Sequence, residues 1–335
     1  MASAPATTPS GPAVADDTQI SSLRHRLPVE IYVLGFTVLV WVGLGIFSRY
    51  FLTAGNISNM MRQVSIDAIV AFGELFPIIL AGIDLSVGSV AALTGILFAM
   101  MLAAHLPVLL ALVLTVALGL LIGLINGLAI DRLGIPAFIV TLAGLQGFRG
   151  LTYLVSGGMT VAGMPSSLDL VARTSIGGIP TMFVLMAVIG LVSHFILRYT
   201  RLGRYCYAIG SNAESARRVG INVTWVTLVC YCIAALFAAF AGMLLVSRLT
   251  MGNPNAGVGA ELQAIAAAVV GGASLFGGRG TILGCFIGSV LFTTIGNGAN
   301  LLGVSSFWQM VIEGLLIALV VYVDNIQKKR QAGVR

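Results

Sequence analysis

Long apolar stretches, separated by short polar joints, recur along almost the whole sequence. A helix of about 20 mostly apolar residues is long enough to cross the hydrocarbon core of a bilayer. The pattern predicts spans at residues 28–47, 64–83, 85–104, 106–128, 135–155, 179–197, 224–247, 260–276, 281–300 and 308–324. We therefore expect an all-α polytopic membrane protein with about ten transmembrane helices.

The composition agrees with this pattern. Hydrophobic residues make up 58% of the chain and charged residues only 9%, against roughly 25% charge in a typical soluble domain. The first residues are rich in Ala, Pro, Ser and Thr and contain no apolar core, which indicates a disordered tail rather than a cleaved signal peptide. We expect a cytoplasmic tail at 1–27, a membrane domain at 28–324 and a second cytoplasmic tail at 325–335.

The basic residues predict the orientation, because loops rich in Lys and Arg stay in the cytoplasm. With ten spans and the amino terminus inside, thirteen basic residues fall inside and four fall outside. The four outside are Arg49, Arg62, Arg173 and Arg248. Both termini are therefore expected in the cytoplasm, at the inner membrane of a bacterium. The same asymmetry accounts for the pI near 9.4 without a nucleic-acid partner.

The sequence lacks residues that several functional classes of protein need. The only lysines, Lys328 and Lys329, lie near the end of the chain, whereas a P-loop needs a lysine after its glycine-rich turn. Any dependence on ATP must then come from a partner protein, and no cofactor is expected. No catalytic cluster or metal site is indicated, and the four cysteines have no paired spacing typical of zinc sites.

Charged residues inside apolar stretches are costly, and are therefore functional candidates. Six fall inside or at the ends of the predicted spans: Asp67, Glu74, Asp84, Arg149, Glu261 and Glu313. Asp67 and Glu74 are two helical turns apart and share a helix face. Arg149 is the one basic residue well inside a predicted span, which favours a charge pair with a carboxylate. These groups either lock helices together or line a substrate path, and the sequence leaves both readings open.

Two segments interrupt the helical pattern. Pro77 removes a backbone donor, and Gly82 precedes Asp84 in the first interruption. Glycines interrupt the second half at 271, 272, 277, 278 and 280. Interrupted helices in corresponding halves of a membrane protein indicate a transport site. Glycines four residues apart, at 119, 123 and 127 and at 280, 284 and 288, are in addition typical of close helix packing.

Amide side chains are concentrated late in the chain. Asn297 and Asn300 share a helix face, and Phe307, Trp308 and Gln309 follow them. Aromatic rings beside amides suit a sugar, whose hydroxyls need both donors and acceptors. For Trp308 an ordinary interfacial aromatic belt is the competing interpretation.

The inside segment 198–223 contains a short predicted helix that begins after Asn212 as N-cap and ends at Gly220. Ala213, Ala216 and Val219 follow at three-residue spacing and predict a small apolar face for docking onto another protein. Glu214, near the amino end of the helix, could instead serve to stabilise the helix dipole.

Five strings resemble the permease subunits of ribose-, xylose- and arabinose-type ABC importers. They are GIDLSVGS at 82–89, TRLGRY at 200–205, GSNAESARRVGIN at 210–222, GGASLFGGRGTILG at 271–284 and NGANLLGVSSFWQM at 297–310. The resemblance extends over nearly the whole chain after the first 30 residues and is closest to the ribose branch. It implies an importer-type helix bundle with one or more broken helices. At Glu74 the chain departs from the family pattern.

The resemblance also implies function and partners. Glu214, Ala216 and Gly220 match the coupling helix that such permeases insert into the ATPase, and Asn212 and Arg217 lie in the same string. The implied partners are an ATPase with two fused nucleotide-binding halves, a periplasmic sugar-binding protein and a second permease copy.

We therefore expect a non-catalytic subunit that moves a monosaccharide, such as a pentose or small polyol, across the membrane. Two rivals stay open: a proton-coupled secondary transporter relaying protons through Asp67, Glu74 and Arg149, and a passive channel.

Overall fold

The computed structural model describes residues 28–332, and helices dominate this part of the chain. The first helices are α1 (Val29–Phe47), α2 (Ala54–Ile79), α3 (Val87–Ala103), α4 (Val108–Asp131) and α5 (Ala137–Ser156). A connecting region follows with α6 (Asp169–Ala172) and the antiparallel strands β1 (Ser175–Ile176) and β2 (Ile179–Pro180). The remaining helices are α7 (Thr181–Tyr199), α8 (Arg201–Ser211), α9 (Ala213–Arg218), α10 (Val223–Leu249), α11 (Ala260–Val270), α12 (Ile282–Leu301) and α13 (Ser306–Ala332).

Helix α2 lies at the centre of the bundle. Nearly every residue of its second half is buried, because α7, α10, α11 and α12 pack around it. By contrast, α4 and α5 expose many leucine, isoleucine and valine side chains. An apolar exterior of this kind is suited to lipid rather than water.

The predicted glycine stripes are confirmed as packing surfaces. A Cβ added at Gly123 of α4 would lie 2.5 Å from Cα of Cys232 in α10. A Cβ added at Gly288 of α12 would lie 2.0 Å from the carbonyl oxygen of Ala267 in α11. Both distances are too short for any side chain, so glycine at these positions allows the helix backbones to approach closely.

The count of ten spans is not confirmed. Within residues 28–332, six helices are long and apolar enough to cross a bilayer: α1, α4, α5, α7, α10 and α12. The predicted span 260–276 is wrong as a continuous crossing, because α11 has 11 residues and extends only about 16 Å at 1.5 Å per residue. Helix α3 has 17 residues, which is at the lower end of the length that a crossing needs.

The first predicted interruption is present, a few residues after Pro77. Helix α2 includes Pro77 in its last turn and ends at Ile79. Ala81 then adopts a positive φ of 62°, and the chain stays irregular until α3 begins at Val87. The predicted tail at 1–27 lies outside the described residues. The predicted tail at 325–335 is not separate from the last helix, because α13 continues to Ala332.

Candidate substrate cleft

A polar cleft of about 300 Å³ opens between α2, α10, α11 and α12. Its lining comprises Asn59, Met60, Gln63, Asp67, Arg248, Gln263, Phe292, Thr293, Gly296, Asn297 and Asn300. Three of the predicted path residues, Asp67, Asn297 and Asn300, are among them. Arg248 and Asn300 belong to the last turns of their helices, and the cleft therefore lies toward one end of the bundle.

A chain of hydrogen bonds crosses this cleft. The Arg248 guanidinium donates to Gln63 Oε1 and, over 3.1 Å, to Asn59 Oδ1. Gln63 Nε2 donates in turn to Asp67 Oδ1 over 2.9 Å, and Thr293 Oγ1 donates to Asp67 Oδ2 over 2.9 Å. Gln63 thus links the guanidinium to the carboxylate and connects helices α2 and α10.

The charges of the cleft balance. Arg248 and Asp67 are the charged residues of its lining, one of each sign, and the other polar members are amides and a threonine. Amide groups both donate and accept hydrogen bonds. The arrangement therefore favours a small neutral ligand with several hydroxyl groups over an ion.

Two amide contacts close the end of the cleft. Asn56 Nδ2 donates to Asn297 Oδ1 over 2.9 Å, and Asn297 Nδ2 donates back to Asn56 Oδ1 over 2.8 Å. Gln309 Nε2 donates to Asn300 Oδ1 over 2.9 Å. Gln309 is thus connected to the cleft through Asn300.

The two aromatic residues predicted for the substrate path do not line this cleft. Phe307 and Trp308 begin helix α13 with side chains 79% and 64% exposed, and neither lines the cleft. The aromatic residue that does line it is Phe292, on α12. The outer position of Trp308 agrees better with the interfacial aromatic belt.

Glu74 and Asp84 lie at the helix interruption, not on the cleft. Both are fully buried, and the backbone amide of Asp84 donates to Glu74 Oε1. Asp84 Oδ1 accepts from the backbone amide and the hydroxyl of Ser86, at 2.8 and 2.5 Å. Asn126 Nδ2 donates to the same Ser86 hydroxyl over 3.0 Å. These carboxylates satisfy the backbone of the irregular segment.

Arg149 interacts electrostatically with the Glu261 carboxylate, but its hydrogen bonds go to backbone carbonyl groups rather than to a carboxylate. Its Nη1 donates to the carbonyl oxygens of Pro254 and Ala256, over 3.0 and 2.7 Å. A salt bridge is formed instead by Arg218 and Glu214, both on α9. Arg149 therefore holds the segment between α10 and α11 against α5.

The segment 198–223 folds as two helices, and its predicted caps are confirmed. Asn212 Oδ1 accepts from the backbone amide of Ser215 over 2.8 Å, and Gly220 ends the turn with φ of 83°. The predicted apolar docking face is only partly correct. Val219 is 76% exposed, but Ala216 is only 4% exposed because it packs into the chain's own core.

Helix α8 holds this segment against the carboxyl end of α2. Tyr207 Oη donates to the carbonyl oxygen of Gly280 over 2.8 Å, and burial raises the pKa of the Tyr207 hydroxyl above its usual value. The hydroxyl therefore stays protonated as a donor at neutral pH. Gly210 lies against the carbonyl oxygen of Ile79, the last residue of α2.

Five polar cleft residues were missed by the sequence reasoning: Asn59, Gln63, Arg248, Gln263 and Thr293. A signal for two of them was present. Asn56, Asn59, Gln63 and Asp67 recur at intervals of three and four residues, which places a polar stripe on one face of α2. Arg248 and Gln263 have no such local pattern, because they reach the cleft from other helices.

Comparison with known proteins agrees with this architecture. Residues 56–321 match the family described as branched-chain amino acid transport system / permease component. The chain belongs to this permease family. Its members are transport subunits rather than enzymes, and the apolar helices fit a multi-pass membrane protein. No solved structure matches the chain.

Named relatives align over most of their length. The ribose import permease protein RbsC of Escherichia coli K12 is 40% identical over 282 residues, covering 83% of this chain and 88% of the relative. RbsC of Bacillus subtilis is 43% identical over 294 residues, covering 87% and 91%. The D-allose transport system permease protein AlsC of Escherichia coli K12 is 38% identical over 299 residues, covering 89% and 91%.

Proposed function

We propose that this chain is the permease subunit of an ATP-driven importer that carries a monosaccharide, with a pentose such as ribose as its substrate, across the bacterial inner membrane. The observation that carries the proposal is identity of 40% or more to ribose import permeases over more than four fifths of the chain. The neutral, amide-lined cleft supports it. A sugar has no charge to neutralise, and its hydroxyls match groups that both donate and accept.

The fold supports a specific orientation. The cleft lies toward the end of the bundle where α2 begins, whereas α2 ends against α8 of the segment 198–223. With that segment in the cytoplasm, the cleft faces the periplasm and both termini are cytoplasmic. Ten membrane helices result if α2 and α13, and the shorter α3 and α11, are counted with the six helices named above. A reporter cysteine at position 167 should then be labelled from outside, and one at position 211 should not.

The proposed partners follow from the same scheme. A periplasmic binding protein delivers the sugar to the cleft, and two permease copies form the membrane unit. An ATPase with two fused nucleotide-binding halves docks on α9 and the residue that follows it, where Glu214, Arg217 and Val219 are exposed. Asn212 and Gly220 fix the two ends of that helix. The permease itself needs no cofactor, because ATP is bound by its partner.

The experiment that tests this proposal is uptake by proteoliposomes containing the permease, its ATPase and the binding protein. Radiolabelled D-ribose, D-xylose, D-allose and L-leucine are compared, leucine being included because the family description names branched-chain amino acids. We expect ATP-dependent accumulation of a sugar and none of leucine. Accumulation of leucine alone would overturn the proposed substrate class.

A further inference from the structure

One face of helix α7 is apolar and exposed. Its side chains are Val188, Leu191, Val192, Phe195 and Tyr199, which are 52–69% exposed and recur at helical spacing along a single face. Contact of such side chains with water is unfavourable, whereas the acyl chains of a bilayer provide an apolar environment. Because α7 is long and apolar enough to cross a bilayer, this face is a lipid-facing surface. It ends at Tyr199, the last residue of the helix.

Three exposed arginines lie where this lipid-facing surface ends. Arg198 belongs to the last turn of α7, and Arg201 and Arg204 belong to the beginning of α8. The connection between the two helices is tight, because Thr200 alone separates them and caps the start of α8. Arg204 Nη1 donates back to the carbonyl oxygen of Tyr199 over 3.4 Å. The three arginines are therefore grouped around one corner of the fold.

The positive charge of this corner is not balanced by its own helices. Residues 181–211 contain neither Asp nor Glu, and Glu214 on the next helix is already paired with Arg218. A guanidinium group presents a planar set of donors that matches the oxygens of a phosphate. The chemistry of the corner therefore suits a ligand that carries a phosphate and a net negative charge.

The position of the corner favours a lipid over a soluble anion. Basic residues at the end of a membrane helix attract anionic headgroups, and tyrosine is typical of the headgroup level. The rings of Phe195 and Tyr199 lie 5.5 Å apart between centroids, directly beside Arg198 in the same helical turn. A soluble phosphate would contact the arginines and leave these rings uncovered, whereas a phospholipid would contact both.

We propose that Arg198, Arg201 and Arg204 bind the phosphate of an anionic phospholipid whose acyl chains lie along the lipid-facing surface of α7. With the orientation proposed above, this lipid belongs to the cytoplasmic leaflet. Helix α8 leads through Asn212 into α9, so the bound lipid restrains the segment that carries the proposed docking helix. The inference goes beyond the proposed function, because lipid binding is measured without transport.

Lipid binding is tested by native mass spectrometry of the detergent-purified permease. The probes are palmitoyl-oleoyl phosphatidylglycerol, which is anionic, and palmitoyl-oleoyl phosphatidylcholine, which has the same chains but no net charge. We expect the first phosphatidylglycerol to bind the wild type about tenfold more tightly than the first phosphatidylcholine. Arg198→Gln/Arg201→Gln should raise the Kd for phosphatidylglycerol about tenfold or more and leave that for phosphatidylcholine unchanged.

The matched control is Arg132→Gln/Arg279→Gln. It removes the same charge from two exposed arginines that belong to separate parts of the fold, after α4 and between α11 and α12. This variant should bind phosphatidylglycerol as the wild type does. Glycerol 3-phosphate at millimolar concentration carries the phosphate without acyl chains, and it should not displace the lipid.

Unchanged phosphatidylglycerol affinity in Arg198→Gln/Arg201→Gln would overturn the inference, and a simultaneous loss of ATPase binding would assign these arginines to the ATPase interface instead. Equal losses of lipid affinity in this variant and the control would also overturn it, since they would reflect general charge attraction. Displacement by glycerol 3-phosphate would exclude a contribution from the acyl chains and so contradict a lipid site. If the double variant does not fold, Arg201→Glu must weaken phosphatidylglycerol binding about tenfold, and unaltered binding would overturn the proposal.

Discussion

The backbone amide of Asp84 donates a hydrogen bond of 2.9 Å to Glu74 Oε1, across the interruption between α2 and α3. A free amide inside a membrane protein is costly unless a neighbouring group satisfies it. Glu74 supplies that group from the preceding helix. The interruption is therefore held by side chains, and the acidic residue that departs from the resembled family pattern has a structural role here.

This contact predicts different outcomes for two substitutions of Glu74. Glu74→Gln keeps an oxygen acceptor for the Asp84 amide, whereas Glu74→Leu leaves that buried amide unsatisfied. We expect Glu74→Leu to be less stable than Glu74→Gln by about 1–3 kcal/mol. Thermal unfolding of the detergent-solubilised permease measures the difference, and equal stability of the two variants would contradict the assigned role.

Gly210 predicts a second effect, at the contact between α8 and α2. A Cβ at this position would lie 1.8 Å from the carbonyl oxygen of Ile79 and 2.5 Å from the backbone nitrogen of Gly278. Gly210→Ala should therefore displace α8 and lower stability by about 1–3 kcal/mol, as overpacking does. Gly55→Ala is the control, because a Cβ there meets nothing within 4 Å. Melting temperatures that fall equally in both variants would refute the explanation.

Gln63 predicts an effect on transport. Its side chain connects the Arg248 guanidinium to the Asp67 carboxylate, and Gln63→Leu removes a partner from each charged group. At about 1–3 kcal/mol for an unsatisfied polar group, sugar uptake should fall about tenfold or more at matched protein levels. Gln146→Leu, on the exposed face of α5, should transport normally. Sugar uptake by Gln63→Leu at the wild-type rate would show that this chain of hydrogen bonds is not needed for transport.

The buried position of Ala216 changes how docking of the ATPase is tested. Ala216→Trp would disrupt the packing of the permease itself, since Ala216 is 4% exposed. Val219 is 76% exposed, and Val219→Asp would place an unpaired charge in the interface. We expect ATPase affinity to fall about tenfold or more with an unchanged permease melting temperature.

The control for this docking test is Ser167→Asp, on the exposed segment between α5 and α7. Its ATPase affinity should equal that of the wild type. Co-purification of the ATPase with Val219→Asp at wild-type levels would place the docking surface elsewhere.

The features that could be predicted from the sequence are those that depend on residues close together along the chain. Caps at Asn212 and Gly220 follow from local hydrogen bonding and backbone angles, and the glycine stripes follow from helical spacing. The true length of α11 could not be predicted from its apolar composition alone, because glycine-containing segments can extend or end a helix according to their tertiary contacts. Arg248 and Gln263 likewise reach the cleft only once α10 and α11 pack against α2. Hydropathy also does not distinguish the buried Ala216 from the exposed Val219.

The central claim is that this chain moves a neutral sugar with energy supplied by ATP hydrolysis in a partner. The most direct measurement compares D-ribose accumulation in proteoliposomes containing the permease, ATPase and binding protein under two conditions. In one, ATP is supplied to the ATPase without an ion gradient; in the other, a proton gradient is imposed without ATP. The account predicts accumulation only with ATP, unaffected by an ionophore. Accumulation driven by the proton gradient alone, and abolished by the ionophore, would contradict it.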